Sequence, residues 1–543
     1  MSESLHSSLS HSSPFHNEPP LDFSLSEERE KFHSTLQSVA GEISEGKLRA
    51  EIIINGKTSP AENEIQSINP SKFSEYLGTV AMANEQDADA GLQSLISGKK
   101  DFHSIGFIER AKMIRQVGAI LRKQRLRLAA IMVFEAGKPW GEADADVCEA
   151  IDFCDYYANL AESLDSSQHL MPHILGEMNH LTYMPRGIGV AIAPWNFPLA
   201  ILCGMTVASL VTGNATAIKP AEQTSLIAAE LAKALLEAGV PTNAFCFLPG
   251  PGESVGRYLV NAQETDIICF TGSKQVGLEI LQSVSNISSQ TTQGSNAKIK
   301  KAILELGGKN AIIVDDDADF DDAIKGVLYS AFGFAGQKCS ACSRLIVVKN
   351  AYESFIERLS EACQNLFVGE AKLPETFVGP LIDKTSQERV LKKIEKCKKE
   401  LTLAYSANVS QSGYFVSPTI FKDVPDTHNL WREEVFAPVL AACKADNFTH
   451  ALELANNSQY ALTGGVFSRS PKNLALARDQ YQAGNLYINR SITGAIVGRQ
   501  PFGGYKLSGI GSKAGGPDYL LQFLQARTIT ENTMRKGFTP ELT

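Results

Sequence analysis

The chain has 543 residues, which is too long for one ordinary domain and predicts two or three domains with substantial cores. Its apolar content of 43% and charged content of 20% are typical of soluble globular proteins. The net charge of -9 arises from acidic and basic residues spread along the chain, which argues against a nucleic-acid partner. No apolar run is long enough to span a membrane, so we expect no membrane partner.

The ten cysteines are scattered, mostly within apolar runs, which is typical of buried thiols in a reducing compartment and predicts a cytoplasmic protein. Cys339 and Cys342 form a CxxC pair with no second pair and no histidine couple nearby, so we expect no metal site. Residues 1–25 begin with a Ser/His-rich stretch that lacks a signal-peptide core, and we interpret them as a flexible tail.

The first part of the chain predicts a helix, a hairpin and then an α/β unit. Residues 26–48 have a helical pattern, and Asn55-Gly56 predicts a β-hairpin turn. From residue 187 strands alternate with helices, the strands being GIGVAIAP, NATAIKP, AFCFLPG and DIICFTG. This alternation predicts right-handed βαβ units in a parallel sheet, with a nucleotide at the carboxyl ends of its strands.

A second alternation begins at Lys301 with KKAILEL and NAIIVDDD, and it predicts a second α/β domain. Residues 288–297 are polar, and we interpret them as a surface insertion. Residues 173–183 and the C-terminal ARTITENT are strand-like, and we expect the latter to be an edge strand that pairs elsewhere.

Cys339 and Glu305 are the candidate nucleophile and base. Cys339 lies in GFAGQKCSACSR among small residues that let a substrate approach, and a thiol needs a base or a positive field to become a nucleophile. Glu305 ends a predicted strand at the Gly307-Gly308 turn, where it could serve as general base for a thiol or a water. Taken singly, a buried cysteine and a surface acid are the plainer interpretations.

Several polar residues follow the predicted strands. The amide of Asn196, in PWNFP, could donate to an oxyanion, although an asparagine that caps the next helix fits the local sequence equally well. Lys219 and Glu222, in AIKPAE, could bind a ribose or simply be surface charges, and a glutamate there disfavours a 2′-phosphate. FTGS, with Gly272 and Ser273, predicts a helix N-terminus after a strand, which favours a phosphate.

Two further segments are weaker candidates for cofactor contacts. PGPGESVG, with Gly252 and Gly256, resembles the dinucleotide fingerprint only loosely. EEVFAPV places Glu434 and Phe436 in the second domain, where a carboxylate could reach a ribose, although a surface acid is the plainer interpretation.

The strings PWNFP, IKPAE, FTGS, LELGGKN, GFAGQKCSA, EEVFAPV and PFGGYKLSG occur in the order found in the aldehyde dehydrogenase superfamily. The resemblance covers the chain from residue 48 to its end. Within the superfamily the sequence most resembles the L-glutamate γ-semialdehyde dehydrogenases, through FHNEP, EADADVCEAIDF and NRSITGAIVGRQPFGGYKLSG. Relatives that also oxidise proline carry a large additional barrel domain, for which this chain has no room.

The resemblance implies an α/β protein with the aldehyde dehydrogenase fold, which has a Rossmann-like NAD-binding domain, a second α/β catalytic domain and a small β oligomerisation element. It also implies a homo-oligomer, a dimer or larger. The expected parts are a flexible tail at 1–25, an NAD-binding domain at 26–168 and 187–304, a catalytic domain at 305–500, and an oligomerisation element with the C-terminal region at 169–186 and 501–543.

The resemblance further implies roles for the candidate residues. Cys339 corresponds to the nucleophile, Glu305 to the base that activates water, and Asn196 with the Cys339 N–H to the oxyanion hole. The thiohemiacetal then passes a hydride to NAD and leaves a thioester. The residues that correspond to cofactor contacts are Lys219, Glu222, Gly252, Gly256, Gly272, Ser273, Glu434 and Phe436.

Glutamate semialdehyde carries an α-carboxylate and an α-ammonium group, and backbone N–H groups of a glycine-bearing loop can hold a carboxylate. In the related enzymes this loop corresponds to residues 493–495. The residues that correspond to substrate contacts are Ser340, Gly494, Ala495, Phe502, Phe197 and Glu149. We therefore expect NAD-dependent oxidation of this small-molecule substrate to L-glutamate, a step of proline breakdown.

Two other functions stay open. One is an aldehyde dehydrogenase that acts on a different semialdehyde or an aliphatic aldehyde, and the other is a non-catalytic binding protein with the same fold. Cys342 stands where related sequences usually have a small residue without a thiol. We interpret it as a packed side chain in preference to a reversible disulfide partner of Cys339.

Overall fold

A computed structural model of the chain describes residues 15–165, 169–170, 174–285 and 298–534. A π-helical turn precedes α8 and a 3-10 turn follows α10. The α-helices are α1 (Ser26–Ser44), α2 (Glu85–Ser104), α3 (Phe107–Lys123), α4 (Arg125–Glu135), α5 (Trp140–Asp165), α6 (Ala200–Val211), α7 (Ser225–Glu237), α8 (Arg257–Asn261), α9 (Lys274–Ser285), α10 (Phe320–Phe332), α11 (Lys349–Cys363), α12 (Lys384–Glu400), α13 (Asn429–Arg432), α14 (Phe448–Asn456) and α15 (Pro471–Gln480).

Within the described ranges the strands join into five sheets. In chain order they are β1 (Arg49–Ala50), β2 (Ile52–Ile54), β3 (Lys57–Ser59), β4 (Asn63–Ile68), β5 (Tyr76–Met82), β6 (His169–Leu170), β7 (Glu177–Pro185), β8 (Ile188–Ile192), β9 (Ala215–Lys219), β10 (Phe245–Phe247), β11 (Thr265–Thr271), β12 (Lys301–Glu305), β13 (Asn310–Val314), β14 (Cys342–Val348), β15 (Thr402–Tyr405), β16 (Thr419–Lys422), β17 (Val439–Ala445), β18 (Tyr460–Ala461), β19 (Thr463–Phe467), β20 (Asn485–Ile488), β21 (Tyr505–Lys506), β22 (Gly509–Ile510) and β23 (Leu524–Asn532).

The first alternation forms an eight-stranded sheet with the order β22-β12-β11-β8-β9-β10-β2-β3. The strands from β12 to β10 are parallel, which confirms the predicted βαβ units, and the predicted hairpin at Asn55-Gly56 joins β2 to β3. Ala217 packs in one hydrophobic cluster with Leu92 of α2, whereas Ile218 packs in another with Leu226 of α7. Helices therefore cover both faces of this sheet, which explains why its central strands carry apolar side chains on both sides.

The second alternation forms a seven-stranded sheet with the order β15-β16-β17-β14-β13-β19-β20, parallel except for β15. The prediction that this series begins at Lys301 is wrong. Strand β12 pairs in parallel with β11 of the first sheet, and its Leu304 packs with Phe270 in a shared cluster. Glu305 therefore ends the last parallel strand of the first sheet, and the second sheet starts at Asn310.

The third sheet has the order β23-β7-β6. Strand β23 runs antiparallel to β7 along its whole length, from the Leu524–Pro185 pair to the Asn532–Glu177 pair, which confirms that the C-terminal segment pairs elsewhere. Residues 525–532 of β23 are exposed. The predicted insertion at 288–297 lies outside the described residues. Among the helices of the described ranges, none is long and apolar enough to cross a membrane.

Residues 15–25 were predicted to belong to a flexible tail, and that prediction is wrong for them. The Asn17 side chain donates to Asp152 at 2.8 Å, the Leu21 N–H donates to Asp144 at 2.8 Å, and Phe23 packs edge-on against Trp140. The polar groups of the segment pair with buried carboxylates on α5, and local composition does not reveal such long-range pairing. The rest of the predicted tail, residues 1–14, lies outside the described part of the chain.

Candidate active site

A cavity of about 110 Å³ lies where α5, α6 and the ends of β11 and β12 meet the cysteine loop and the segment from 494 to 502. Both candidate groups for covalent chemistry line it, and so do all six residues expected to contact substrate. The predicted residues on its wall are Cys339, Glu305, Ser340, Gly494, Ala495, Phe502, Phe197 and Glu149. Residues far apart in sequence therefore share one enclosed space.

The loop that carries Cys339 is held against the start of β13. The side chain of Asn310 donates to the carbonyl oxygens of Cys339 at 2.7 Å and Ala341 at 2.9 Å. A Cβ added to Gly308 would lie 2.6 Å from the Cys339 carbonyl oxygen, so this close approach requires glycine. Burial, followed by the nearby Glu305 carboxylate, raises the pKa of the Cys339 thiol to about 12. The thiol needs a proton acceptor before it can attack.

Glu305 lies at the carboxyl end of β12, paired in register with Thr271 of β11. Its Oε2 atom is buried and has no hydrogen-bond partner among the described residues. Burial raises the pKa of the carboxyl to about 8, while the charge of Lys513 acts in the opposite direction. A carboxyl group with this pKa can gain or release a proton near neutral pH, which suits a general base.

Asn196 does not cap α6, because that helix begins at Ala200 after Leu199, which makes no side-chain capping bond. The Asn196 amide nitrogen instead donates to the Gln337 carbonyl at 2.9 Å, two residues before the candidate nucleophile. Asn196 is buried and does not line the cavity, and this bond uses one of the two N–H donors of its amide. The alternative of a helix cap is therefore wrong.

Lys138 and Asp146 form a fully buried ion pair at 2.8 Å that the sequence reasoning missed. Lys138 also donates to the Asn196 carbonyl oxygen at 2.8 Å, and its ammonium lies 4.0 Å from the centre of the Phe197 ring. Asp146 accepts from the Ala200 N–H at 2.7 Å. The pair thus fixes the turn that carries Asn196 and Phe197. The sequence signal for this pair was a lysine in EAGKPW and an aspartate eight residues later in EADADV.

Four of the expected cofactor residues meet after β9 and β10. Lys219 ends β9, is buried, and donates to Glu222 at 3.2 Å. The same carboxylate oxygen accepts from the Gly252 N–H at 2.8 Å. Burial lowers the pKa of the Lys219 ammonium, and Glu222 opposes that shift. A Cβ built on Gly256 would lie 3.8 Å from the Lys219 side chain, so the glycine-bearing turn closes over this lysine.

The other expected cofactor residues follow β11 or lie beside the Gly307-Gly308 turn. The Gly272 N–H donates to the Glu305 carbonyl at 3.0 Å, and Ser273 accepts from the Val276 N–H at the start of α9. Glu434 accepts from the Gly308 N–H at 2.9 Å. Phe436 packs edge-on against Trp195, with ring centres 5.6 Å apart.

The residues present fit a dinucleotide at the carboxyl ends of the first sheet's strands. A Cβ built on Gly252 would meet only a Glu222 oxygen at 4.0 Å, so the backbone there is open to a ligand. Lys219 and Glu222 offer a donor and an acceptor for a ribose, and Glu434 offers an acceptor beside the turn after Glu305. Lys219 ends a strand predicted from the sequence, and Glu222 follows the same strand.

The loop at 493–495 reaches the cavity wall through Gly494 and Ala495. Within the described part of the chain, the N–H groups of Thr493, Gly494 and Ala495 donate no hydrogen bond. Gly494 has φ +78°, a conformation that favours glycine, and nothing lies within 4 Å of a Cβ built there. Glu149 also lines the cavity, and burial, followed by the charge of Asp146, raises the pKa of its carboxyl to about 8.

Cys342 is buried at the start of β14, and its thiol donates to the Arg344 carbonyl at 3.3 Å. All ten cysteines are free. This geometry favours the packed side chain over the disulfide with Cys339. The cavity wall also includes residues that the sequence reasoning did not single out, among them Phe153, Tyr157, Met205 and Thr271. Their only sequence signal is an ordinary apolar helix or strand pattern.

The sequence profile of the aldehyde dehydrogenase family matches residues 57–529. A Geobacillus protein (strain WCH70) named 1-pyrroline-5-carboxylate dehydrogenase is 42% identical over 519 residues, which cover 95% of this chain and 99% of that protein. The structure of 1-pyrroline-5-carboxylate dehydrogenase from Thermus with bound NAD is 41% identical, has a TM-score of 0.92, and matches 96% of this chain and 99% of its own. Proline utilization A from Bdellovibrio bacteriovorus is 43% identical with a TM-score of 0.93, over 98% of this chain and 55% of its own. This chain belongs to the aldehyde dehydrogenase family, as its motifs predicted.

Proposed function

We propose that this protein oxidises L-glutamate γ-semialdehyde, the open form of 1-pyrroline-5-carboxylate, to L-glutamate with NAD in proline breakdown. The observation that carries the proposal is a single cavity lined by a thiol, a carboxyl of raised pKa, a second acid and a loop whose N–H groups find no acceptor among the described residues. The relatives named 1-pyrroline-5-carboxylate dehydrogenase support the same substrate, since they match this chain over nearly its full length.

The first step is covalent capture of the aldehyde. The Cys339 thiol loses its proton to Glu305, directly or through a water, and the sulfur adds to the aldehyde carbon. The oxygen then becomes an oxyanion, which the Asn196 amide and the Cys339 N–H stabilise. Because Gln337 and Lys138 hold the Asn196 amide and carbonyl, that donor is oriented before the reaction begins.

Oxidation and hydrolysis follow at the same carbon. When bound, NAD would supply the hydride acceptor for conversion of the thiohemiacetal into a thioester. Glu305 first releases the thiol proton to solvent, and as the carboxylate it then takes a proton from a water that attacks the thioester. The carbon–sulfur bond breaks, the sulfur recovers a proton, and the product leaves as a carboxylate. Lys219, Glu222 and Glu434 would hold the two riboses of the cofactor.

Recognition of the substrate's charged end rests on groups at the cavity wall. The N–H groups at 493–495 suit the α-carboxylate, and Ser340, beside the nucleophile, offers a hydroxyl. The acidic side chain of Glu149 suits the α-ammonium, whose positive charge would favour the ionised carboxylate. Phe197 and Phe502 would enclose the aliphatic carbons between the two ends.

A substrate panel tests the proposal. The purified protein is given NAD with glutamate semialdehyde, succinate semialdehyde or pentanal, and NADH absorbance is followed. We expect kcat/KM for glutamate semialdehyde to exceed that for pentanal by roughly 10⁴-fold, since a site built to bond charged groups rejects analogues that lack them. Equal values would favour an aldehyde dehydrogenase of another specificity, and no NADH with any aldehyde would favour a non-catalytic protein.

We also propose that the protein is a cytoplasmic homo-oligomer. Its parts would be an NAD-binding domain at 26–168 and 187–304, a catalytic domain at 305–500, and an oligomerisation element with the C-terminal region at 169–186 and 501–543. The exposed strand β23, at the edge of the third sheet, supports self-association because an unpaired edge favours pairing with another chain. Light scattering coupled to size-exclusion chromatography tests it: a monomer mass at micromolar concentration would contradict this part of the proposal.

A further inference from the structure

Asn17 connects two walls of the substrate cavity that are far apart in sequence. Its side-chain nitrogen donates to Asp152 at 2.8 Å and to the Val497 carbonyl at 2.8 Å. Asp152 lies on α5, one turn after the cavity residue Glu149. Val497 is itself a cavity residue and follows the loop of free N–H donors. A single amide therefore ties the acid-bearing helix to the carboxylate-binding loop.

The residues around Asn17 reinforce this connection. We call residues 15–21 the N-terminal strap. The Glu18 N–H donates to the other oxygen of Asp152 at 2.7 Å. The Phe15 ring packs edge-on against Tyr156 with centres 5.1 Å apart, and a Cβ added to Gly498 would lie 3.1 Å from both rings. The strap thus fits closely against the end of the loop, in a place where only glycine leaves room.

The loop needs this support because its central donors make no bond with the rest of the described chain. On one side, the Ile492 N–H donates to Ser330 at 3.0 Å, and on the other the Gly498 N–H donates to the Gly515 carbonyl at 2.9 Å. Between these points Asn17 holds the Val497 carbonyl. A binding group must be held to within about 0.5 Å of its productive position, so a displaced Val497 would misplace the donors at 493–495.

We propose that Asn17 is a positioning residue for substrate specificity, which sets the spacing between the Glu149 helix and the carboxylate-binding loop and thereby favours aldehydes that carry an α-amino acid group. Asn17 does not line the cavity and acts only through Asp152 and Val497. The inference rests on the proposed function, because it concerns the same site. It predicts that changes at Asn17 lower kcat/KM for aldehydes with an α-amino acid group and leave kcat/KM for aldehydes without one unchanged.

The experiment compares Asn17→Ala and Asn17→Ser with the matched control Glu18→Gln. The Glu18 carboxylate pairs with Arg122 and Arg125 on the surface side of the strap and does not touch the loop, and its N–H bond to Asp152 survives the substitution. Each variant is assayed with glutamate semialdehyde and with pentanal, and NAD binding is measured separately by fluorescence.

We expect Asn17→Ala to lower kcat/KM for glutamate semialdehyde about 10- to 100-fold, mainly through KM, because a buried carboxylate and a carbonyl lose their donor. Asn17→Ser, which keeps one donor, should show a smaller loss. Pentanal turnover and NAD binding should stay within about twofold of wild type in both variants, and Glu18→Gln should leave the substrate preference unchanged.

Two results overturn the inference in distinguishable ways. If wild type prefers glutamate semialdehyde and both Asn17 variants keep that preference, or lose activity equally on both aldehydes, Asn17 has no role in specificity. If wild type itself shows no preference, the proposed function fails and the inference fails with it. If Asn17→Ala does not fold, Asn17→Ser tests the inference through the ratio of kcat/KM for glutamate semialdehyde to kcat/KM for pentanal.

Discussion

The side-chain amide of Asn310 donates to the main-chain carbonyl of Cys339 at 2.7 Å. Asn310 follows the turn after Glu305, and its own oxygen accepts from the Thr463 N–H at 3.0 Å. The segment that carries the candidate base therefore also holds the loop of the candidate nucleophile against the second sheet. The first two predictions below concern these two groups.

Replacing the thiol tests covalent catalysis. We expect Cys339→Ser to lower kcat roughly 10³-fold or more, because a hydroxyl is far less nucleophilic and the site offers no stronger base. NAD binding, followed by the quenching of protein fluorescence, should be unchanged, since the cofactor residues lie at other strand ends. Retained dehydrogenase activity in this variant would contradict the assigned nucleophile.

The pH dependence of turnover tests Glu305. A general base acts in its deprotonated form, and the pKa of Glu305 is raised to about 8, mainly by burial. Below pH 8 the Glu305 carboxyl is therefore protonated in most protein molecules. We expect kcat to rise with pH through about 8 and then to level off. Because Glu305 also accepts the thiol proton, stopped-flow absorbance of Glu305→Gln should show slow NADH formation from the first turnover, with no burst and without this rise. A variant that turns over at the wild-type rate would exclude the role.

The negative charge of Glu222 is expected to weaken the binding of NADP. Its carboxylate accepts from Lys219 and from the Gly252 N–H, so Glu222→Gln retains an acceptor for both bonds and removes the charge. Without the repulsion of a ribose 2′-phosphate, we expect kcat/KM for NADP to rise about 10-fold. We expect kcat/KM for NAD to fall by a smaller factor. The measurement is the ratio of the two constants, and an unchanged ratio would show that Glu222 does not select the cofactor.

The buried pair of Lys138 and Asp146 is expected to matter for stability. Lys138→Met leaves a buried carboxylate without its partner, and we expect the free energy of unfolding to fall by about 3–5 kcal/mol in urea denaturation. The double variant Lys138→Met/Asp146→Asn removes the charge and keeps an acceptor for the Ala200 N–H. The double variant should recover part of the lost free energy of unfolding. If the single and double variants were equally destabilised, the unpaired buried charge would not be the cause.

Much of the architecture was predictable because its signals are local. Strands β8, β9, β10 and β11 appear in the sequence as short apolar runs that end at glycine or proline, and the hairpin at Asn55-Gly56 has its own turn signal. The motifs around Cys339 and Glu305 were equally visible. The assignment of β12 failed because the alternation of strands and helices does not reveal which sheet a strand joins.

The secondary structure, the glycine-bearing turns and the set of reactive side chains follow from local sequence, because they depend on residues close together along the chain. Which side chains share a cavity, how far burial raises the pKa of Glu305 and Glu149, and which groups pair out of contact with solvent depend on how distant segments pack. The strap at 15–21 and the Lys138–Asp146 pair belong to that second class. Desolvation and long-range hydrogen bonds arise only when distant segments meet, so no local pattern records them.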